Sequence, residues 1–437
     1  MTTTTDARVQ HLPTPPGPKL PGAIQTFLFP YRHLVMPRLR KRYGDVVSVE
    51  LLGRPSVLLY TPELNKVVFS GSPEVFHAGE GNRVLRQIMG KHSVLTLDED
   101  AHRRMRKLLM PPFHGAALRG YRETMTALAV AEADSWRPGA VFSAHQRMNQ
   151  LTLEIILRVV FGVVEGPRLD DLRRSITKLV TQPMPVYIGE FVPSLRKFGP
   201  WRRFRELVAH VDGLLYAEIA ERRQVGDLAA RTDVLSQLLS VRIDGDQLSD
   251  AELRDQMVTL LLAGHETTAT ALAWALHDLA RNPRLQNRAI QAAEEGDEKY
   301  LEAVLKEAMR LHPVIYNVAR TLTEDIELNG YRIPKGHTVL PGIGVIHLNG
   351  AYHEDPGVFR PERFLDGSAT PATWLPFGGG VRRCLGAGFA QLEGTIILKE
   401  ILSRYRLEPE RPAPERTKAR HITLTPGRGA RIRVHRR

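Results

Sequence analysis

The sequence predicts a mainly α fold with minor β, of the α+β class. Three observations carry that expectation. From about residue 98 to 312, apolar residues recur at threes and fours, the period of helices packed on a core. Strand-like runs are short and fall outside that stretch, near the beginning and beyond Pro313. One helix, starting at Ser249 and stopped by Pro283, would reach close to ~50 Å at about 1.5 Å per residue, longer than a small domain is wide.

In chain order, residues 1–22 read as a flexible Pro-rich arm. Pro13, Pro15, Pro16, Pro18 and Pro21 forbid a helix and favour an extended strap. Residues 23–437 read as a single domain, helix-rich with a small sheet-rich region. Val46–Leu51 and Ser56–Tyr60 are strand-like, with Gly53-Arg54 at the turn between them. An aromatic, Pro-containing loop (Pro185, Tyr187, Phe191) interrupts the helical stretch. Arg320–Leu322, Ile326–Leu328 and Tyr331–Ile333 give strand signals, and Pro356–Gly380 is rich in Pro and Gly. A helix is expected from near Leu385 to about Tyr405. His421–Thr425 and Arg431–Val434 are expected to form a hairpin around Pro426-Gly427.

The 437 residues are 43% hydrophobic and 25% charged, an ordinary globular composition. A single cysteine excludes an internal disulfide and any zinc site with two or more cysteine ligands. It also points to a reducing compartment. Net charge is +12, and the last 22 residues hold eight Lys/Arg and no acid. No helix-turn-helix, zinc-finger or aromatic-rich basic motif accompanies these charges, which argues against nucleic acid as partner. No run reaches the roughly 18–20 apolar residues of a membrane span, and no signal peptide opens the chain. The expectation is a soluble, cytoplasmic protein.

The long helix opens with the capping box Ser249/Glu252 and is apolar nearly all round between Met257 and Leu279. Into its middle the sequence places Gly264-His265-Glu266-Thr267-Thr268. A buried carboxyl is costly unless paired, protonated or in use, and a mid-helix glycine costs about 1 kcal/mol. Two local rules broken together mark a functional site. Near the other end lies Phe377-Gly378-Gly379-Gly380-Val381-Arg382-Arg383-Cys384-Leu385-Gly386. Glycines allow close backbone approach to a flat group. Cys384 stands just before a helix N-terminus, whose free N–H groups and dipole favour a thiolate, and Arg382 adds positive charge.

That segment resembles F-x-x-G-x-R-x-C-x-G, the haem-binding signature of the cytochrome P450 family, at Phe377, Gly380, Arg382, Cys384 and Gly386. Ala263–Thr268 resembles the family's A-G-x-[DE]-T-T element. Glu307-Ala308-Met309-Arg310 and Pro361-Glu362-Arg363-Phe364 resemble its E-x-x-R and P-E-R-F elements, in the family's order along the chain. The resemblance covers nearly the whole chain and implies the family's fold, with the long central helix over haem b. It implies Cys384 as axial iron ligand and Glu266 with Thr267 in oxygen activation and proton delivery. It implies Glu307, Arg310 and Arg363 as a buried structural charge network. His102, Arg106, Arg320 and Arg382 match propionate partners, and Phe377, Gly378 and Gly386 complete the haem-binding loop. Arg103, Arg104 and Lys107 are expected to face solvent, and His265 to be structural. H-e-x-x-H zinc chemistry would need a histidine at position 269, where alanine stands.

The resemblance places substrate contacts at 76–97, 182–197, Leu261–Ala263 and Val314–Val318. Phe76, Leu262, Ala263, Val314, Tyr316 and Val318 suit a fatty acid, terpenoid, steroid or polyketide. Pro15-Pro16-Gly17-Pro18 resembles the hinge behind the anchor of microsomal members, yet no anchor precedes it, as in soluble bacterial-type members. No dinucleotide fingerprint or P-loop is present. The implied function is a monooxygenase that hydroxylates or epoxidises with O2. Electrons would come from a separate ferredoxin or flavodoxin with its reductase, and the family default is a monomer. A peroxide-driven peroxygenase or haem-dependent isomerase on the same fold, and a non-catalytic haem sensor or ligand carrier, are the alternatives. The Glu266–Thr267 pair speaks against both.

Overall fold

A computed structural model describes the chain apart from residues 1–6, 163–165, 184–185, 187–193, 195–196, 225 and 229. The chain packs as two compact units. One comprises Met1–Asn82, Lys306–Cys384 and Arg416–Gly427; the other comprises Arg83–Leu305, Leu385–Glu415 and Arg428–Arg437.

The first unit is built on a five-stranded sheet. Its strands are β1 (Val46–Leu51), β2 (Arg54–Leu59), β3 (Phe76–His77), β5 (Arg320–Leu322) and β8 (Thr338–Pro341), in the order β1, β2, β8, β5, β3. Only β2 and β8 run parallel, with Val57 opposite Val339. The alternation of β1 and β2 sorts residues to the two faces. Val46, Val57, Leu59 and Val339 join Phe76, Leu322 and Ile333 in one core. Val47, Val49, Leu58 and Leu340 join Met36, Tyr60 and Tyr316 in the other. Two small antiparallel pairs complete the unit: β6 (Ile326–Leu328) with β7 (Tyr331–Ile333), and β10 (Thr417–Arg420) with β11 (Thr423–Pro426). The expected flexible arm is in part a docked strap. The Ser48 N–H donates to the Pro16 carbonyl at 2.8 Å, the Arg332 N–H donates to the Pro13 carbonyl at 2.9 Å, and Pro15 is buried.

The second unit is helical, with a three-stranded sheet of β4 (Val141–Ser143), β9 (Tyr405–Pro409) and β12 (Arg431–Arg436) in the order β4, β12, β9. Its axis is the central helix Asp250–Arg281, capped by Ser249 and Glu252 as the sequence implies. The helices Ala144–Phe161 and Ala387–Leu402 pack against it. Ile156, Leu261, Leu272, Trp274 and Leu276 are fully buried. The expected hairpin at Pro426-Gly427 does not form. β11 turns back onto β10 through His421, which takes φ 53°, while β12 pairs with β4 and β9. Lys418 and Arg420 carry no apolar alternation, so β10 gave no strand signal in the sequence. Among the described residues no helix is long and apolar enough to cross a membrane.

Candidate active site

In the first unit the cysteine loop is held from both sides. The Cys384 N–H donates to the Phe377 carbonyl at 2.9 Å, and the Leu375 N–H donates to His347 Nε2 at 2.8 Å. His347 is fully buried, and desolvation beside His353 and Arg310 pushes it down to about 3, so it remains the neutral acceptor. Phe364, Trp374 and Phe377 stack edge to face, with centroids 5.3 and 5.9 Å apart. Such aromatic pairs have preferred geometry and hold the loop's approach angle. Gly378 and Gly380 take φ 65° and 63°, left-handed values that L side chains resist. At Gly380 a Cβ would also fall 1.7 Å from the Phe69 carbonyl oxygen. The thiol of Cys384 emerges exposed from this loop, and Arg382 ends its 3-10 turn (Gly380–Arg382) half-buried. Arg320 is buried on β5 and donates to the Ala319 carbonyl at 2.8 Å.

Glu307, Arg310 and Arg363 form one buried network. Arg310 donates from Nε and Nη2 to the two Glu307 oxygens at 2.7 and 2.8 Å. Arg363 donates to Glu307 Oε1 at 3.3 Å, and the Arg360 N–H reaches the same oxygen at 2.8 Å. Arg310 also donates to the carbonyls of His347, Pro356 and Val358, and Arg363 to that of Asp355. These bonds tie 347–363 to the end of the helix Glu298–Leu311.

In the second unit the central helix is buried almost throughout from Leu253 to Ala280. Its face opens at Leu262, Ala263, Gly264 and Thr267. The Thr267 hydroxyl donates to the Ala263 carbonyl at 2.9 Å and keeps its lone pairs as acceptors. Glu266 is buried beside it. His265 is occupied structurally: its ring Nδ1 lies 2.7 Å from the Leu261 carbonyl, and its own carbonyl accepts from Thr152 at 3.0 Å. One turn apart on the helix Glu99–Leu109, His102 is buried and Arg106 half-buried. Arg103 and Lys107 are exposed, pairing with Asp100 and Asp244, whereas Arg104, expected to face solvent, is half-buried because Asp246 and Glu252 both draw in its guanidinium.

Of the apolar residues expected to meet substrate, Leu262, Val314 and Val318 are half-buried and Ala263 is exposed. Phe76 and Tyr316 are instead members of the first unit's two cores, where sheet packing holds their rings. Pro185, Tyr187 and Phe191 lie outside the described residues. Two features were missed. Glu393 is fully buried in the helix Ala387–Leu402, and desolvation drives its carboxyl well above the usual range. The nearby Thr268 hydroxyl pulls weakly the other way without meeting the carboxyl in hydrogen-bond geometry. One acid inside an apolar helical run was the available signal. The second is the pinning of 92–94 to the central helix. Asp255 accepts from the His92 N–H, Gln256 from the Val94 N–H, and Thr259 donates to Ser93.

A haem would find a fitting donor set in these residues. The loop offers a soft thiolate donor for iron on glycines whose Cβ positions at 378 and 386 meet no protein atom within 4 Å. Arg320 and Arg382, in the same unit as the loop, are cations of the kind that propionates pair with. The comparisons agree. The cytochrome P450 family model matches residues 15–432. A putative cytochrome P450 135A1 of Mycobacterium tuberculosis is 47% identical over 425 residues, 96% of this chain and 95% of that one. A putative cytochrome P450 135B1 of Mycobacterium bovis is 43% identical over 431 residues, 96% and 91% of the two chains. The structure of retinoic acid bound cyanobacterial CYP120A1 matches with a TM-score of 0.86 at 26% identity, covering 98% of this chain and all of that one. The chain belongs to the cytochrome P450 family of haem b monooxygenases.

Proposed function

We propose that this protein inserts one oxygen atom of O2 into a C–H or C=C bond of a lipophilic small molecule, with electrons from a separate ferredoxin or flavodoxin. Haem b supplies the dioxygen chemistry, and thiolate ligation favours O–O cleavage. The residues of this chain divide the remaining work. Cys384 is the iron ligand. The Cys384 N–H bond to Phe377 and the left-handed glycines fix where its sulfur points. His102, Arg106, Arg320 and Arg382 neutralise the propionates. Glu307, Arg310 and Arg363 hold the segment that leads into the loop. On the central helix, Thr267 accepts and donates hydrogen bonds at its hydroxyl, and Glu266 exchanges a proton at its carboxyl.

The observation that carries the reading is the opening of an otherwise buried helix at Ala263 and Thr267, beside the buried Glu266. A helix packed only for stability has no reason to leave a threonine–alanine face unfilled there. The apolar Leu262 and Ala263 at that opening suit lipophilic substrates, and the cyanobacterial relative's retinoic acid supports that class. The sequence carries no nucleotide fingerprint for NAD(P)H, and a net charge of +12 favours docking of an acidic electron carrier. Such docking weakens as salt rises. Substrates are found by screening lipophilic compounds for a spin-state shift of the haem. With a substrate in hand, Thr267→Ala is expected to let electron consumption outrun product formation. Unchanged coupling would refute the assignment of Thr267.

A further inference from the structure

The first unit carries an exposed apolar stripe that the reading above does not use. The helix Gly22–Leu28, the 3-10 turn Phe29–Tyr31 and the helix Arg32–Tyr43 follow one another without a break. Their inner side is anchored. Met36 is buried, and Phe29, Leu39 and Tyr43 pack on the same core. Arg32 is buried too and donates to the Ile422 carbonyl at 2.7 Å. The outer side carries Ile24, Phe27, Tyr31 and Leu34 at spacings of three, four and three. Phe27 is 75% exposed, and the other three are close to half exposed. Two more exposed apolar side chains flank the stripe. Leu52 sits at the tip of the β1–β2 turn, where its N–H donates to Thr26 at 2.8 Å. Ile422 sits at the tip of the β10–β11 turn, beside Arg32. Scattered apolar residues on a surface mean little, but a contiguous set of this size marks a contact surface.

Charge identifies the contact. The stripe continues into exposed Arg38, Lys41 and Arg42. From Val9 to Gly44 the sequence has six Lys/Arg and no Asp or Glu. From Arg416 to Gly427, the segment bearing Ile422, it has three more and again no acid. Two carboxylates neighbour the stripe: Glu50 lies against Gly22 at the N-terminus of the first helix, and Asp45 at the basic end pairs with Arg40 at 2.7 Å, while Arg38, Lys41 and Arg42 stay exposed. A second copy of this chain would set these cations against themselves. Large apolar and aromatic side chains grading into cations along one helical face match a headgroup boundary, with acyl chains under one end and phosphates under the other.

We propose that this face docks the protein peripherally on an anionic lipid bilayer, lying on the membrane without spanning it. Apolar insertion and basic attraction each give weak binding, and together they give reversible anchoring. Such a placement brings the enzyme to where lipophilic molecules concentrate.

Co-flotation of the haem-loaded full chain with vesicles tests this. Phosphatidylglycerol–phosphatidylcholine vesicles are expected to carry the protein, and pure phosphatidylcholine vesicles to bind at least ~10-fold less. Phe27→Glu with Leu34→Glu should lose at least ~10-fold in vesicle affinity while the haem spectrum stays that of the parent. Lys41→Glu with Arg42→Glu should weaken binding to anionic vesicles and reduce its salt dependence. Three results would overturn the proposal. One is no flotation with either vesicle. Another is binding that survives Phe27→Glu/Leu34→Glu, which would place the contact elsewhere. The third is self-association without lipid that this pair of substitutions abolishes, which would make a second copy the occupant.

Discussion

Glu307→Ala removes the one carboxylate between two buried guanidiniums. Arg310, Glu307 and Arg363 are each 1% exposed or less. The substitution deletes two Arg310 bonds at 2.7 and 2.8 Å, one Arg363 contact at 3.3 Å and the Arg360 N–H bond at 2.8 Å. Removing one partner of a buried ion pair costs about 3–5 kcal/mol, because the remaining charge is left desolvated. Here two cations are left, which pushes the cost up. Arg310 keeps three carbonyl acceptors and Arg363 one, which moderates it. The expected loss is about 4 kcal/mol, a large share of the roughly 5–15 kcal/mol that keeps a domain folded. Chemical denaturation followed by circular dichroism measures it, and haem content per chain measures the effect on the loop beyond. Glu307→Gln retains part of the hydrogen bonding and should fall between parent and Glu307→Ala. Arg363→Ala leaves the bidentate Arg310–Glu307 pair intact and should cost less than Glu307→Ala. A Glu307→Ala protein with unchanged haem content and a stability within about 1 kcal/mol of the parent, below the cost of a buried unpaired charge, would refute the reasoning.

Two further outcomes follow from the geometry. Gly380→Ala sets a Cβ on the Phe69 carbonyl oxygen at a left-handed backbone angle, so the cysteine loop must shift. Haem incorporation should fall sharply with far-UV circular dichroism little changed, and full incorporation would contradict the assignment. Glu393 holds its proton in the native chain and releases it on unfolding in the ordinary carboxylate range. The unfolded state then binds fewer protons, so stability declines as pH rises through that range, by up to ~1.4 kcal/mol per pH unit. Glu393→Gln keeps the shape and removes that slope. Its stability relative to the parent should therefore grow from pH 4 to pH 7, and a pH-independent difference would show that Glu393 is ionised in the fold.

Much of this was legible in the residues because the signals are local. The capping box fixed the start of the central helix. The strands β1, β5, β6 and β7 match the runs expected of them. The cysteine loop could be read because glycine, arginine and cysteine at fixed spacing express backbone angles and ligand chemistry together. What was illegible is tertiary. β4 and β8 find their partners far along the chain, in β12 and β2, and no local pattern in Lys418 or Arg420 announces the ladder that β10 forms with its neighbour β11. Phe76 and Tyr316 read as pocket residues because aromatic side chains serve cores and ligands alike, and only the sheet's packing assigns them to the core. Glu393 escaped notice because a lone acid in an apolar run reveals its burial only once neighbouring helices surround it.

The central claim is that the Cys384 sulfur binds the haem iron. The reduced carbon-monoxide difference spectrum of the parent protein and of Cys384→Ala tests it most directly. The parent should show the red-shifted Soret band of a thiolate-ligated haem, and Cys384→Ala should lose that band even where some haem remains bound. The same band in Cys384→Ala, or a parent protein that takes up no haem when supplied with it, would contradict the account.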